Sequence, residues 1–386
     1  MIEAMLRRRM ILVWMLAAVA TLSGCMDDPS SVGAGLIPSS DLLQIDTVVV
    51  ASSSSHSEKA APLSFANLPT TFAVGRSENF DAWGLIQFTG FSDTLSQIAI
   101  QGADLHLRTV YHLGDSLGQF SLAMHTMLMD WNRISFVYDS LLAPGTFDAS
   151  STPFNPGSIG DTDDVVLPLD TALVMTWFRA VTDTTLRNFG LALEPTNTTV
   201  IKGFASYGAA NAPYLEVRYT DATSGLTDTL FLSTSIFKTA AGMADTSAFT
   251  DSTLLFARGS AAYRGVVNFN TSVIPSHALI HRAYLEVHTD PAASRFASNH
   301  HDSLYALFAN TLNPVQISES VADSGQGYFR FNVTEFVSAM VRGADPQISL
   351  GVYEEENTVD LFRIFGSAAT NPDKRPRLTV LYSRTR

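Results

Sequence analysis

Along much of the chain, apolar and polar residues alternate with a period of two. Ala103, Leu105 and Leu107 are interleaved with Asp104, His106 and Arg108; Leu285 and Val287 with Tyr284, Glu286 and His288; and Leu215, Val217 and Tyr219 with Tyr214, Glu216 and Arg218. This is the signature of a strand with one face on a core and the other in water. Helical periodicity is confined to two short stretches, Thr171 to Phe178 and Thr334 to Val341, each just before a strand. Many brief strands, broken by Gly, Pro, Asn and Ser and without βα alternation, predict an all-β chain of antiparallel sandwich or jelly-roll type.

The pattern also repeats. Asp46 to Ser53 (DTVVVASS) returns as Asp228 to Ser235 (DTLFLSTS) at an offset of 182, Trp83 to Phe88 (WGLIQF) as Arg264 to Phe269 (RGVVNF) at 181, and Ala103 to Thr109 (ADLHLRT) as Ala283 to Thr289 (AYLEVHT) at 180. Phe204 to Thr220 returns as Phe365 to Ser383 with a two-residue insertion, starting from an offset of 161. Four blocks in the same order predict two copies of one domain, 41–220 and 221–386, joined near Asp221 to Gly225. The falling offset places about 20 extra residues in the first copy, in a longer loop including Trp131 to Asp164.

The N-terminus does not belong to this pattern. Arg7, Arg8 and Arg9 precede an apolar run from Met10 to Ala20 and then small residues, so residues 1–24 read as a signal peptide, the run being shorter than the ~20 residues of a membrane span. Leu22-Ser23-Gly24-Cys25 resembles a bacterial lipobox, which implies that Cys25 is acylated and begins the mature chain. Residues 25–40, rich in Ser, Gly, Pro and Asp, have the composition of a tether. Asp27-Asp28 resembles the acidic pair that marks surface export in Bacteroidota lipoproteins, and Ser30 to Pro38 is similar to the start of a Bacteroidota family of surface lipoproteins. The expected location is the outer membrane, lipid-anchored and exposed at the cell surface.

With the only cysteine acylated, no thiol remains for a disulfide, and the 46% of hydrophobic residues must supply the stability. Loss of Arg7, Arg8, Arg9 and Glu3 with the signal takes the formal charge from −13 to −15. That excess argues against nucleic acid and against adsorption to anionic lipid, leaving the lipid as the expected membrane contact.

Across both copies, a GLIQF or GVVNF strand, an A-x-L-x-L strand, the segments LPLDTALVMTWF and FRFNVTEFVSAMV, then FGLAL or SLGVY, and a closing F-x-S…P-x-L-x-V-x-Y motif resemble the DNRLRE-type domain. The resemblance implies a β-sandwich of secreted and cell-surface bacterial proteins, some members being similar to carbohydrate-binding modules. In the closing motif, Pro213 and Pro376 are expected to open an edge-compatible last strand.

Chemistry-bearing motifs are few. Asn299-His300-His301-Asp302 reads as a solvated loop, Asp161-Thr162-Asp163-Asp164 as an acidic turn without EF-hand spacing, and Glu354-Glu355-Glu356 as a charged hairpin tip. No nucleophile elbow, zincin pair or phosphate loop occurs, so neither an enzyme nor a cofactor nor a metal is expected. The expected function is binding of extracellular polysaccharide or cell-envelope glycan, the alternative being a structural or adhesion protein that contacts surface proteins. Trp177 is expected in the core. Trp83 and Trp131 are the candidate sugar platforms, taken to be exposed at a strand start and in the long loop.

Overall fold

The computed structural model describes residues 44–384 apart from 61–62, 64–68, 96–97, 207–210, 223, 244 and 320–327. The stretches expected to be a signal peptide and a tether, with Cys25, lie outside the described residues. The fold is all-β, built of two large antiparallel sheets, each curled on itself around a core. Among the described residues no helix is long and apolar enough to cross a membrane.

The first unit contains β2 (Thr71–Ser77), β3 (Phe80–Phe88), β4 (Ile98–Leu113), β5 (Gln119–Thr126), β6 (Thr152–Ser158), β7 (Asp164–Pro168), β8 (Leu191–Pro195), β9 (Ile201–Ala205) and β10 (Tyr214–Asp221). The second repeats this as β12 (Leu254–Arg258), β13 (Tyr263–Phe269), β14 (Leu279–His288), β15 (Ser303–Leu307), β16 (Val315–Glu319), β17 (Tyr328–Asn332), β18 (Gln347–Val352), β19 (Leu361–Phe365) and β20 (Arg377–Arg384). Helix α1 (Tyr138–Leu141) lies in the longer loop of the first unit. The two stretches of helical periodicity form α2 (Thr171–Arg179), capped by the Asp170 side chain accepting from Ala172 N, and α3 (Thr334–Val341). Leu105, Leu107, Leu215, Val217, Leu285, Val287, Leu378 and Val380 face the two cores, as the period of two requires, and Trp177 is in the first.

Two long strands remain, and they change places. β1 (Gln44–Lys59) opens the first repeat in sequence but pairs with β20 and β13, completing the second unit. β11 (Thr227–Met243) opens the second repeat but pairs with β10 and β3, completing the first. Strand pairing thus crosses the expected boundary near Asp221 to Gly225 twice. Residues 71–243 form one continuous unit, inserted between β1 and the rest of the second, 254–384. The physical reason is local: Asp221 N donates to Leu226 O and Gly225 N to Asp221 O, closing a tight hairpin that folds β11 back onto β10. Both long strands serve two ladders, and each changes ladder where the register skips, between Ser52 and Ser54 and between Thr234 and Ile236.

β10 and β20, expected to be edge-compatible, are interior strands, β10 lying between β4 and β11 and β20 between β14 and β1. Pro213 and Pro376 stand one residue before their ladders begin, so neither removes a donor. The units share an apolar junction that includes Phe80, Tyr111 and Ile201 of the first with Phe256, Tyr263 and Leu361 of the second.

Candidate ligand-binding face

Neither tryptophan expected at the surface is there. Trp83 is 5% exposed and Trp131 4%. The segment 127–151, between β5 and β6, is long where its counterpart 308–314 is short, and it folds over the outer side of β3, β8 and β11. Trp131, Phe136, Tyr138 and Leu141 from this segment bury Trp83, Leu85 and Ala240 in a small additional core. The Trp131 indole N–H donates to Phe189 O at 2.8 Å, and Trp83 packs against Phe147 and His125. Both indoles hold a cover onto a sheet and present no platform to a sugar.

The acidic and histidine motifs are also tied into the structure. Asp161 accepts from His112 Nδ1 at 2.6 Å, from Lys202 Nζ at 3.4 Å and from Ser298 Oγ of the second unit at 3.2 Å, so it braces the junction. Asp163 accepts from Gly160 N, and Asp164 pairs with Arg108. His300 stacks on Phe296 and bonds Asp360, while His301 is exposed. Among the described residues no three His, Cys, Asp or Glu side chains converge in a way that could hold a metal. Glu355 departs most from expectation. Instead of crowning a hairpin tip it is 1% exposed, with Oε1 3.0 Å from Arg264 Nη2, Oε2 accepting from Tyr305 Oη at 2.9 Å, and a further bond from Leu63 N. Burial pushes its carboxyl above the ordinary range, opposed by Arg264. Glu354, at φ 53°, makes the turn that points its neighbour inward.

Exposed aromatic chemistry occurs elsewhere, on the outer face of β7, β4, β10 and β11. The ladders set Val166, His106, Tyr214 and Ser233 in one row and Pro168, Asp104, Glu216 and Phe231 in the next, with Gly102, Arg218 and Thr229 beyond. Because Leu105, Leu215, Val217 and Leu232 occupy the core side, these residues must face outward. His106 and Tyr214 stack at 4.4 Å with planes 9° apart, and Phe231 meets Tyr214 edge-on at 5.7 Å. Phe231 is 61% exposed, which leaves ring surface in solvent.

Polar groups frame this ridge in fixed positions. Arg218 bonds Asp104 at 2.7 Å and Glu216 at 2.8 Å, and His106 Nε2 lies 3.4 Å from Glu216. The bond to Asp104, with that to Glu216, holds the Arg218 guanidinium above its ordinary pKa. Gly102 lets the guanidinium lie flat across the sheet, since a Cβ there would come 2.5 Å from Arg218 Nη2. An aromatic ridge flanked by two carboxylates and a guanidinium can stack on an apolar ring face and exchange hydrogen bonds with hydroxyls around it. The signal was present in the outward positions of the alternation, Tyr214 and His106. Attention to tryptophan alone passes over it.

No family model matches the chain, and no curated protein matches it. A solved structure, that of the Macrobrachium rosenbergii nodavirus, aligns with 90% of this chain and 91% of its own at 12% identity, with a TM-score of 0.14.

Proposed function

We propose that this chain is a non-catalytic lipoprotein of the DNRLRE type, held in the outer membrane through acylated Cys25, exposed at the cell surface, and binding extracellular polysaccharide or cell-envelope glycan on the outer face of β4, β10 and β11. The observation that carries this reading is Phe231, 61% exposed beside the stacked Tyr214 and His106 and within reach of fixed polar groups. Sugar rings offer apolar CH faces to Phe231 and Tyr214, while Asp104 and Glu216 accept from hydroxyls and Arg218 donates. The ridge stands on a solvent-exposed sheet face, which suits an extended chain rather than an enclosed small molecule.

The test is retention of soluble residues 41–386 on a glycan array and in polysaccharide gels. Phe231→Ala and Tyr214→Ala are expected to weaken retention at least ~10-fold, the loss of ~1.4 kcal/mol of stacking, with the melting temperature nearly unchanged. Failure of the wild-type protein to be retained by any polysaccharide overturns the glycan reading. Cys25→Ala is expected to remove the protein from the membrane fraction, and its persistence there overturns the anchor.

A specific observation favours the second reading, a surface-protein contact. On the outer face of the second unit Ile45, Val49 and Leu279 are each at least 60% exposed on β1 and β14, flanking β20. These aliphatic side chains suit a protein surface better than a sugar.

A further inference from the structure

β1 and β11 are equivalent in backbone and occupy opposite units. Their ladders match position by position at an offset of 182. Val48 faces Val380 as Leu230 faces Val217, Val50 faces Leu378 as Leu232 faces Leu215, and Ser55 faces Val267 as Phe237 faces Ile86. The residues skipped by the two ladders, Ser53 and Ser235, obey the same offset. The chain therefore contains two slots of one geometry and two strands able to make the same backbone bonds. The hairpin after β10 delivers β11 to the first slot locally. The second slot, between β13 and β20, is filled by a segment from nearly the far end of the chain.

Among the matched positions on the core side, Ser55 and Phe237 differ most in size. Ser55 is 7% exposed, its Oγ accepts from Ser367 N at 2.8 Å, and it lies 3.0 Å from Ser367 Oγ and 3.4 Å from the Ser252 carbonyl. A Cβ added at Gly366 would come 2.7 Å from that hydroxyl oxygen. The space around it has no room for an aromatic ring. At the equivalent point of the first unit Phe237 is 3% exposed and stacks on Phe72 at 5.3 Å. A serine there would leave a void and a buried hydroxyl without these partners.

We propose that the groove between β13 and β20 is a strand-acceptor site whose ligand is the extended segment 44–59, selected over its repeat counterpart 226–241 by the size of the residue at Ser55. Main-chain bonds to both neighbours supply affinity and the Ser55 position supplies specificity, the division of labour of strand addition. The segment is then bound by the second unit rather than merely attached through the linker, and a second copy of the chain can supply it equally well.

The experiment uses the whole chain, residues 41–386, with a protease site placed in the linker between β1 and β2. After cleavage of the folded protein, the N-terminal segment should co-elute with the remainder on gel filtration. The cleaved protein is then unfolded and refolded with an excess of labelled peptide. Peptide 41–60 should be incorporated, as should the same peptide carrying Ser55→Ala. Peptide 223–243, and peptide 41–60 carrying Ser55→Phe, should be incorporated at least ~10-fold less, as ~1.4 kcal/mol or more of overpacking requires. Loss of the segment on cleavage, incorporation of no peptide, or equal incorporation of peptide 223–243 would each overturn the proposal.

Discussion

Trp83 and Arg264 occupy the same outward position on equivalent strands, and both are buried, by opposite chemistries. Over Trp83 lies the inserted segment 127–151, whose aromatic side chains make an apolar cover. Over Arg264, where no insertion exists, the turn carrying Glu355 and the backbone N–H of Leu63 in the β1–β2 linker close a polar cluster with Tyr305. The repeat determines that this side of the sheet is covered. The segment that arrives to cover it decides which chemistry is needed beneath. A buried ion pair offers little net stability over a well-packed apolar equivalent, yet it becomes costly once one partner is missing.

The largest effect should come from exchanging the two solutions. Trp83→Arg loses an indole, itself ~3–5 kcal/mol, and buries a guanidinium beneath the apolar 127–151 cover, where the neighbouring Glu194 carboxylate is already engaged by His125. We expect no cooperative thermal transition from this variant. A melt close to wild type would show that the 127–151 cover is loose enough to admit a hydrated guanidinium, and the comparison would collapse.

Breaking the polar cover should cost somewhat less. Glu355→Ala strands Arg264 and is expected to destabilise by ~3–5 kcal/mol in denaturant titrations. Adding Arg264→Met to Glu355→Leu should recover most of that loss, because the second unit then acquires an apolar cover like the first. Costs that simply add would show that the two residues do not act as a pair.

The smallest effect separates Lys238 from His56, the next matched position on β11 and β1. His56 is exposed, whereas Lys238 is half-buried, bonds the Arg133 carbonyl, and is lowered by burial to a pKa of about 8 from 10.5. Between those values the folded protein binds fewer protons than the unfolded chain, so stability should rise with pH through that window, by at most ~3 kcal/mol. Lys238→Met should flatten the rise, and a slope unchanged in this variant would assign it to other groups.

Much of the candidate face was legible in advance. The alternation that sends Leu215 and Val217 inward also sends Tyr214, Glu216 and Arg218 outward, and His106 and Asp104 follow from the same rule on β4. That these residues neighbour one another could not be read, because it depends on which strands pair. The tryptophans failed for a related reason. Loop position suggests exposure, but a loop of some 25 residues with Trp131, Phe136 and Tyr138 can carry its own core, and only packing reveals the surface beneath it. Glu355 escaped because one φ of 53° at Glu354 turns a run of three acids so that the middle one points inward.

By itself the sequence determined the all-β class, the two repeats, the short helices before β8 and β18, and the core side of each strand, because these follow from local periodicity and chain order. Only the tertiary structure decided that β1 and β11 exchange units. Their ladders are the same at every matched position, so periodicity assigns each strand to either slot equally. The choice rests on a tight hairpin after β10 and on the space around a serine in one slot and a phenylalanine in the other, contacts between residues as many as 312 positions apart.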